Sequence, residues 1–284
     1  MSNPHSPSTL SVVIPVLNEA TAIVPCLERL VDQDAIDEII VVDNGSTDGT
    51  EAVVREYAQS HPKIELIHEP QRGLIPARNT GIDKARGDFI ARIDADTQVE
   101  SYWGAAIRDH MIANPDTAAT TGIFTYHDSP VSFFLEFGVW LMCRLGKRGG
   151  RVGNIHGANM AVRRTAWDSV KDATTDRADL HEDLDLAICL AENRLPMQQL
   201  IDQRVRISAR RRRSNPRAFW HYQLCGLRTI AHRGYPVRRE HRVVVSAAWI
   251  GHTVQWPIYR VWDFDRRRFT LRGSPARLSP VGGD

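Results

Sequence analysis

LSVVIPV (Leu10–Val16) and EIIVVD (Glu38–Asp43) are short, apolar, β-branched runs, each followed by polar residues. Runs of this length and composition suit strands buried on both faces. Between them Ile23, Leu27, Leu30 and Val31 recur at helical spacing. After the second run Asp48 stands where an N-cap would, ahead of EAVVREYA (Glu51–Ala58). Lys63–His68 reads as a third strand, Ala77–Arg86 as a helix stopped by Gly87, and DFIARID (Asp88–Asp94) as a fourth strand. Such alternation implies a parallel sheet with helices on both faces. Ligands of these sheets bind beyond the carboxyl ends of the strands. Here those ends are acidic: Asn18-Glu19, Asp43-Asn44-Gly45-Ser46 and Asp94-Ala95-Asp96.

The second half is less regular. Thr117–Tyr126 and Gln198–Ile207 read as strands, Asn154–Arg164 as an extended segment around Gly157, and Glu182–Asn193 and Pro216–His232 as helices. The tail from Gly273 is expected to be loose. Two stretches are more apolar. Phe133–Leu145 (FFLEFGVWLMCRL) has 13 residues and contains Glu136 and Arg144. Val243–Tyr259 has 17, interrupted by His252, Gln255 and Pro257. A span needs about 20 apolar residues, so neither is expected to cross a membrane. Each reads as a core helix or an interfacial one.

With 42% hydrophobic and 25% charged residues over 284, the composition is that of a globular protein. It excludes long disorder, collagen-like repeats and a polytopic membrane protein. Met1–Thr9 lacks the apolar core of a signal peptide. Cys26, Cys143, Cys189 and Cys225 form no C-x-x-C pair. That argues against a disulfide framework or a cysteine zinc site and suits a reducing compartment. The net charge of +2 hides an asymmetry: Arg204–Arg242 holds 12 arginines and one acid, Glu240, leaving 24 basic against 33 acidic residues elsewhere. A segment of this kind meets anions.

Two carboxylates one residue apart, Asp94 and Asp96, suit a hard divalent cation shared with substrate phosphates. The bland alternative is a solvated turn whose Asp caps the next helix. In VVDNGSTDGT (Val41–Thr50), Asp43 can accept a hydrogen bond from a base N–H, or the segment is simply a polar turn. In RGLIPARNTG (Arg72–Gly81), Gly73 permits a bend and Pro76 favours a first helical turn. A helix N-terminus with arginines nearby favours phosphate; the alternative is a capped surface helix.

PVLNEA (Pro15–Ala20), VVDNGSTDGT, RGLIPARNTGI (Arg72–Ile82) and IDADTQ (Ile93–Gln98), in this order and spacing, resemble family 2 glycosyltransferases. The resemblance covers about Ser11–Asp96. It continues more loosely to Arg213 through HGANMAVRR (His156–Arg164) and HEDLDLAICL (His181–Leu190). It implies an α/β GT-A fold: a Rossmann-like, mostly parallel central sheet with helices on both faces, plus a C-terminal helical extension. The chain is read as a disordered segment 1–9, a GT-A domain 10–235 with a nucleotide-binding half 10–97 and an acceptor half 98–235, and an extension 236–284 that would associate with a membrane.

The implied activity is inverting transfer from a nucleotide-diphosphate sugar, with a UDP-sugar favoured. Pro15 and Glu19 would line the base and ribose pocket, and Asp43 would hold the base. Arg78 would lie near the donor and Asp94 would face the ribose or sugar. Asp96 would bind Mn²⁺ or Mg²⁺. Asp183 would be the catalytic base, with Glu182 as orienting partner or alternate base; otherwise these acids only complement a helix dipole. His181 stands where Thr is more usual, and its role is open. The G-x-N-x-x-x-R-R segment from Gly157 would lie under the donor sugar and acceptor.

Arg210–Arg213 reads as a solvated basic face, a mobile loop closing over the diphosphate, or an attraction to anionic membrane. The Q-x-x-R-W element of processive relatives is missing: Arg217-Ala218-Phe219-Trp220 stands there. That implies single-sugar transfer. Phe133, Phe134, Phe137 and Trp140 would line a glycan or lipid-linked acceptor groove, or pack the core. Trp249, Trp256 and Trp262, with nearby arginines, would suit peripheral contact with the inner membrane face. The expected setting is cytoplasmic, with no nucleic acid as partner. A sugar nucleotidyltransferase would carry a Gly-rich, basic first turn, against the acidic PVLNE here. A non-catalytic binding module would not need Asp43, Asp94, Asp96, Glu182 and Asp183 together.

Overall fold

Leu10–Val16 forms β1, every residue buried, as its apolar run predicts. The computed structural model describes residues 8–264 and 266–270. The expected disordered segment 1–9 lies mostly, and the tail from Gly273 wholly, outside these residues. The chain continues through α1 (Ile23–Val31), β2 (Glu38–Asp43), α2 (Thr50–Ala58), β3 (Ile64–His68), α3 (Leu74–Lys84) and β4 (Phe89–Ile93). Next come β5 (Gln98–Val99), α4 (Trp103–Ala113), β6 (Ala119–Tyr126), α5 (Ser132–Arg144), β7 (Gly150–Arg151), β8 (Asn159–Arg163) and α6 (Arg164–Val170). The last elements are α7 (Glu182–Glu192), β9 (Met197–Ile207), α8 (Pro216–His232), α9 (Arg239–Arg260), β10 (Trp262–Asp263) and β11 (Arg268–Phe269).

The central sheet is ordered β3-β2-β1-β4-β8-β6-β9-β5, with β7 also paired to β9. β1, β2, β3 and β4 are mutually parallel. β8 runs against β4 and β6, so β6 and β9 point the same way as the first four. The sheet is therefore mostly parallel, with helices on both faces, and α8 and α9 follow it in the chain.

Period-two alternation of strand side chains divides the core. Val12, Ile14, Ile39 and Val41 pack on one face with Leu27, Leu30, Val54, Trp103 and Ile107. Val13, Ile40 and Val42 pack on the other with Ile82, Trp167, Leu186 and Leu190. A third, small cluster joins Ala209 to Tyr259, Trp262 and Phe264.

Three local expectations shift. α3 starts at Leu74 rather than Ala77, because Gly73, at φ 136°, turns the chain before Pro76. The N-cap of α2 is Gly49, at φ 92°; Asp48 lies just outside and accepts from the N–H groups of Thr50 and Ala20. The core reading of Phe133–Leu145 fails, since no residue of α5 is buried. Both faces of the sheet already carry helices, so α5 has no apolar surface left to cover. In α9 only Val245, His252 and Tyr259 are buried. Among the described residues no helix is long and apolar enough to cross a membrane.

Candidate active site

β4 delivers a charged residue into the core. Arg92 is 3% exposed, and its Nη2 lies 2.8 Å from Asp94 Oδ1. Its Nη1 lies 3.7 Å from Glu182 Oε1 at the start of α7. One guanidinium thus joins the acid after β4 to the acid pair about ninety residues later in the chain. Asp183 is fixed by two main-chain donors: Gly157 N–H donates to Oδ2 (3.1 Å) and Leu184 N–H to Oδ1 (2.8 Å). Its side chain keeps 20% exposure, against 8% for Glu182. Burial, then the Asp183 charge, raises the Glu182 carboxyl above its ordinary value, and Arg92 and Arg78 offset part of that.

Gly157 makes the arrangement possible. A Cβ there would lie 2.0 Å from Arg92 Nη1 and 3.1 Å from Glu182 Oε1. Gly157→Ala should therefore displace the guanidinium and lower turnover by up to about 10²-fold, since misplacement by ~1 Å costs that much. Steady-state kinetics beside a thermal melt would check it: the rate should fall much further than the stability.

Arg78 is buried against the start of α7. It is 1% exposed, its Nη1 donates to the Glu182 carbonyl (3.0 Å), and Nε and Nη2 donate to Asn79 Oδ1. Its guanidinium also sits 5.7 Å from the Trp167 ring. It supports the start of α7 from beneath.

Asp96 is half-buried beside Asp94. Burial, then the Asp94 charge, pushes its carboxyl up to about 7, with Arg210 and Arg211 acting in the opposite direction. Two crowded carboxylates of this kind are relieved by a divalent cation. Among the described residues no three His, Cys, Asp or Glu side chains form a cage. The donor set therefore fits a hard cation that takes its remaining ligands from phosphates and water, as Mg²⁺ and Mn²⁺ do.

A second polar cluster lies at the ends of β1 and β2. Asp43 is 1% exposed, and its Oδ2 accepts from Gly45 N–H (3.1 Å) and Ser46 N–H (3.2 Å). Its Oδ1 is buried without a hydrogen-bond partner among the described residues. Pro15 pairs with Val42 inside the sheet. Glu19 is buried; its N–H donates to Thr50 Oγ1, and Arg210 Nη1 lies 3.9 Å from its Oε2. Arg72 donates to the Asn44 and Gly45 carbonyls, closing the turn after β2. A cavity lined by Arg72, Gly73, Ile75, Pro76, Leu180 and Glu182 connects that turn to α7.

Arg210–Arg213 forms a single 3-10 turn. Arg211 donates to the Tyr222 hydroxyl (2.9 Å) and lies over its ring. Of the three readings, the mobile loop meets a turn that is tied at both ends. Asp128 accepts from Ser208 Oγ (2.5 Å) and Ala209 N–H (2.7 Å). From α9, Trp256 donates to the Arg213 carbonyl, His252 to that of Ser214, and Trp249 to that of Pro216. Trp262 donates to the Asp128 carbonyl. The three tryptophans expected to face a membrane thus direct their indole N–H groups inward.

Asp94, Glu182 and Asp183 therefore gather around Arg92, with Asp96 next to Asp94 and with Asp43, Glu19 and Pro15 at neighbouring strand ends. Arg92 and Asp128 are absent from the sequence reading. A lone arginine inside FIARI could have flagged Arg92, because a buried charge needs partners. Nothing local to Asp128 distinguishes it.

A profile of Glycosyl transferase family 2 matches residues 11–170, more than half of the chain. The glycosyltransferase AglE of Haloferax volcanii is 40% identical over 98 residues, 33% of this chain and 32% of AglE. EpsH of Bacillus subtilis is 41% identical over 144 residues, 45% of this chain and 42% of EpsH. The chain thus spans less than half the length of these curated relatives. Among solved structures, a mannosyltransferase from Pyrobaculum calidifontis in complex with GDP-Man and Mn²⁺ superposes with a TM-score of 0.64 at 20% identity, over 90% of this chain and 75% of its own. GalNAc-T7 with UDP, GalNAc and Mn²⁺ gives 0.57 at 16% identity, over 71% and 43%. These likenesses fit a GT-A fold. On the matched profile, the chain belongs to glycosyl transferase family 2.

Proposed function

We propose that the protein is an inverting glycosyltransferase that moves a single sugar from a nucleotide-diphosphate sugar, with UDP-sugars favoured, to a hydroxyl on a glycan or lipid-linked acceptor. The observation that carries this reading is Arg92, held between Asp94 and Glu182 with Asp183 alongside. This link supports a reading in which Asp94 and the Glu182–Asp183 pair serve one site.

In this reading the unpartnered Asp43 Oδ1 accepts from a base N–H, with Pro15 and Glu19 shaping the base and ribose pocket. Asp94 faces the ribose or donor sugar. Asp96 would hold Mn²⁺ or Mg²⁺, which when bound supplies Lewis-acid stabilisation of charge on the leaving diphosphate. Both neighbours named above with a nucleotide ligand also hold Mn²⁺. Arg210 and Arg211, held in place by α9 and Asp128, add positive charge on the same side. Asp183 takes the acceptor proton while the acceptor oxygen attacks the anomeric carbon from the face opposite the diphosphate. The anomeric carbon–phosphate oxygen bond breaks and the nucleoside diphosphate departs. Glu182, buried between Arg92 and Arg78, orients the acidic pair.

Residues 10–97 then serve the nucleotide and 98–235 the acceptor, while α9 braces the arginine turn. The unpaired cysteines support a cytoplasmic setting.

Calorimetric titration with UDP and GDP, with and without Mn²⁺, tests the site. Wild type should bind UDP in a metal-dependent manner, and Asp96→Ala should weaken that binding at least about tenfold, the cost of a lost charged contact. A preference for GDP would keep the chemistry and change the donor class. Folded protein that binds neither would overturn the reading.

A further inference from the structure

α5 carries an unpartnered apolar face. Phe133 and Phe134 are each 75% exposed, Leu145 60%, Phe137 54% and Trp140 49%. At 100° per residue these side chains fall within an arc of about 140°. The surrounding charge is one-sided. Arg144, Lys147, Arg148 and Arg151 are all exposed, and the only acid in Ser132–Arg151 is Glu136.

We propose that α5 docks on an anionic bilayer surface. The aromatic side chains would enter the interfacial zone and the basic residues at and beyond the helix end would meet lipid phosphates. Aromatic residues beside cations suit the headgroup boundary, where apolar burial and attraction to anionic lipid act together. Arg144 already lies over the Trp140 ring, 5.6 Å from its centroid, which places a cation at the edge of the apolar face. A second copy of the chain would need acids to meet four cations, and this stretch offers one.

The position of α5 gives the docking a consequence. His127 donates to the Asp96 carbonyl (3.2 Å), and Ser129 shares a hydrogen bond with Tyr259 (2.8 Å). α5 starts three residues after Ser129, at the rim of the acidic site. Docking would bring the site to the membrane surface, favouring a lipid-linked acceptor over a free glycan. Only this consequence rests on the glycosyltransferase reading; the docking does not.

The test is flotation of the full chain with phosphatidylcholine vesicles and with vesicles containing about one-third phosphatidylglycerol, at low and high salt. Wild type should float with the anionic vesicles and be released by salt. The double variant Phe133→Ser/Phe134→Ser should lower the bound fraction at least about fivefold. UDP affinity measured by calorimetry should stay unchanged, because neither residue touches the acidic site, and a thermal melt checks that the variant is folded. Wild type that stays unbound, a folded variant that floats equally well, or equal flotation with neutral vesicles would overturn the proposal. So would light scattering that finds a dimer which the double variant converts to monomer. Failure of wild type to bind nucleotide would strike the donor site alone.

Discussion

Asp183→Asn should leave nucleotide affinity near wild type and lower turnover by about 10²–10⁴-fold, the usual contribution of a general base. The change is nearly isosteric. Asn keeps one oxygen able to accept from Gly157 N–H or Leu184 N–H, so the start of α7 should hold its geometry. What disappears is the carboxylate that receives the proton. Glu182→Gln is the informative contrast. Glu182 is 8% exposed, against 20% for Asp183, and its Oε1 lies 3.7 Å from Arg92 Nη1. Its loss should disturb the position of Arg92 and reduce turnover less. Rates of nucleoside diphosphate release with an acceptor present, set beside calorimetric affinities, would separate the two. An active Asp183→Asn beside an inactive Glu182→Gln would exchange the roles.

The donor half was legible because its information is local. A buried parallel strand needs an unbroken apolar run, and a strand end that meets a ligand needs polar residues immediately after it. LSVVIPV, EIIVVD and FIARI therefore announce β1, β2 and β4, and the acids behind them announce the cleft. Arg92 hid inside this same logic. Its burial depends on Asp94, which is adjacent, and on Glu182, which only the tertiary fold brings near. The arginine turn was visible as charge, but its immobilisation was not. Trp249, His252, Trp256 and Asp128 reach it across the fold, and no sequence period records such bonds. α5 shows the opposite failure. Its apolar pattern predicts burial, but burial requires an uncovered surface elsewhere, and both sheet faces were already taken.

Arg92→Met should destabilise the fold by about 3–5 kcal/mol, the range for removing one partner of a buried ion pair. Methionine keeps an aliphatic stem and removes only the guanidinium, so the cost is chiefly electrostatic. It leaves the buried Glu182 carboxylate facing Asp183 without its nearest cation, and leaves Asp94 without its 2.8 Å partner. The pH dependence follows from the sign of the Glu182 shift. Its carboxyl is already raised in the folded state, so its contribution favours the fold at low pH and is lost as pH rises through the raised value. Removing Arg92 raises it further. The deficit against wild type should therefore widen from about pH 5 to pH 8 and shrink on acidification. Urea denaturation at both pH values would measure it. Arg92→Met/Glu182→Gln supplies the decisive comparison, because it removes the stranded charge as well. That double variant should recover much of the lost stability at pH 8 without recovering activity. If it stays as unstable as Arg92→Met, Arg92 acts on the fold through its packing, and the electrostatic link between the two acidic motifs is not what holds the site together.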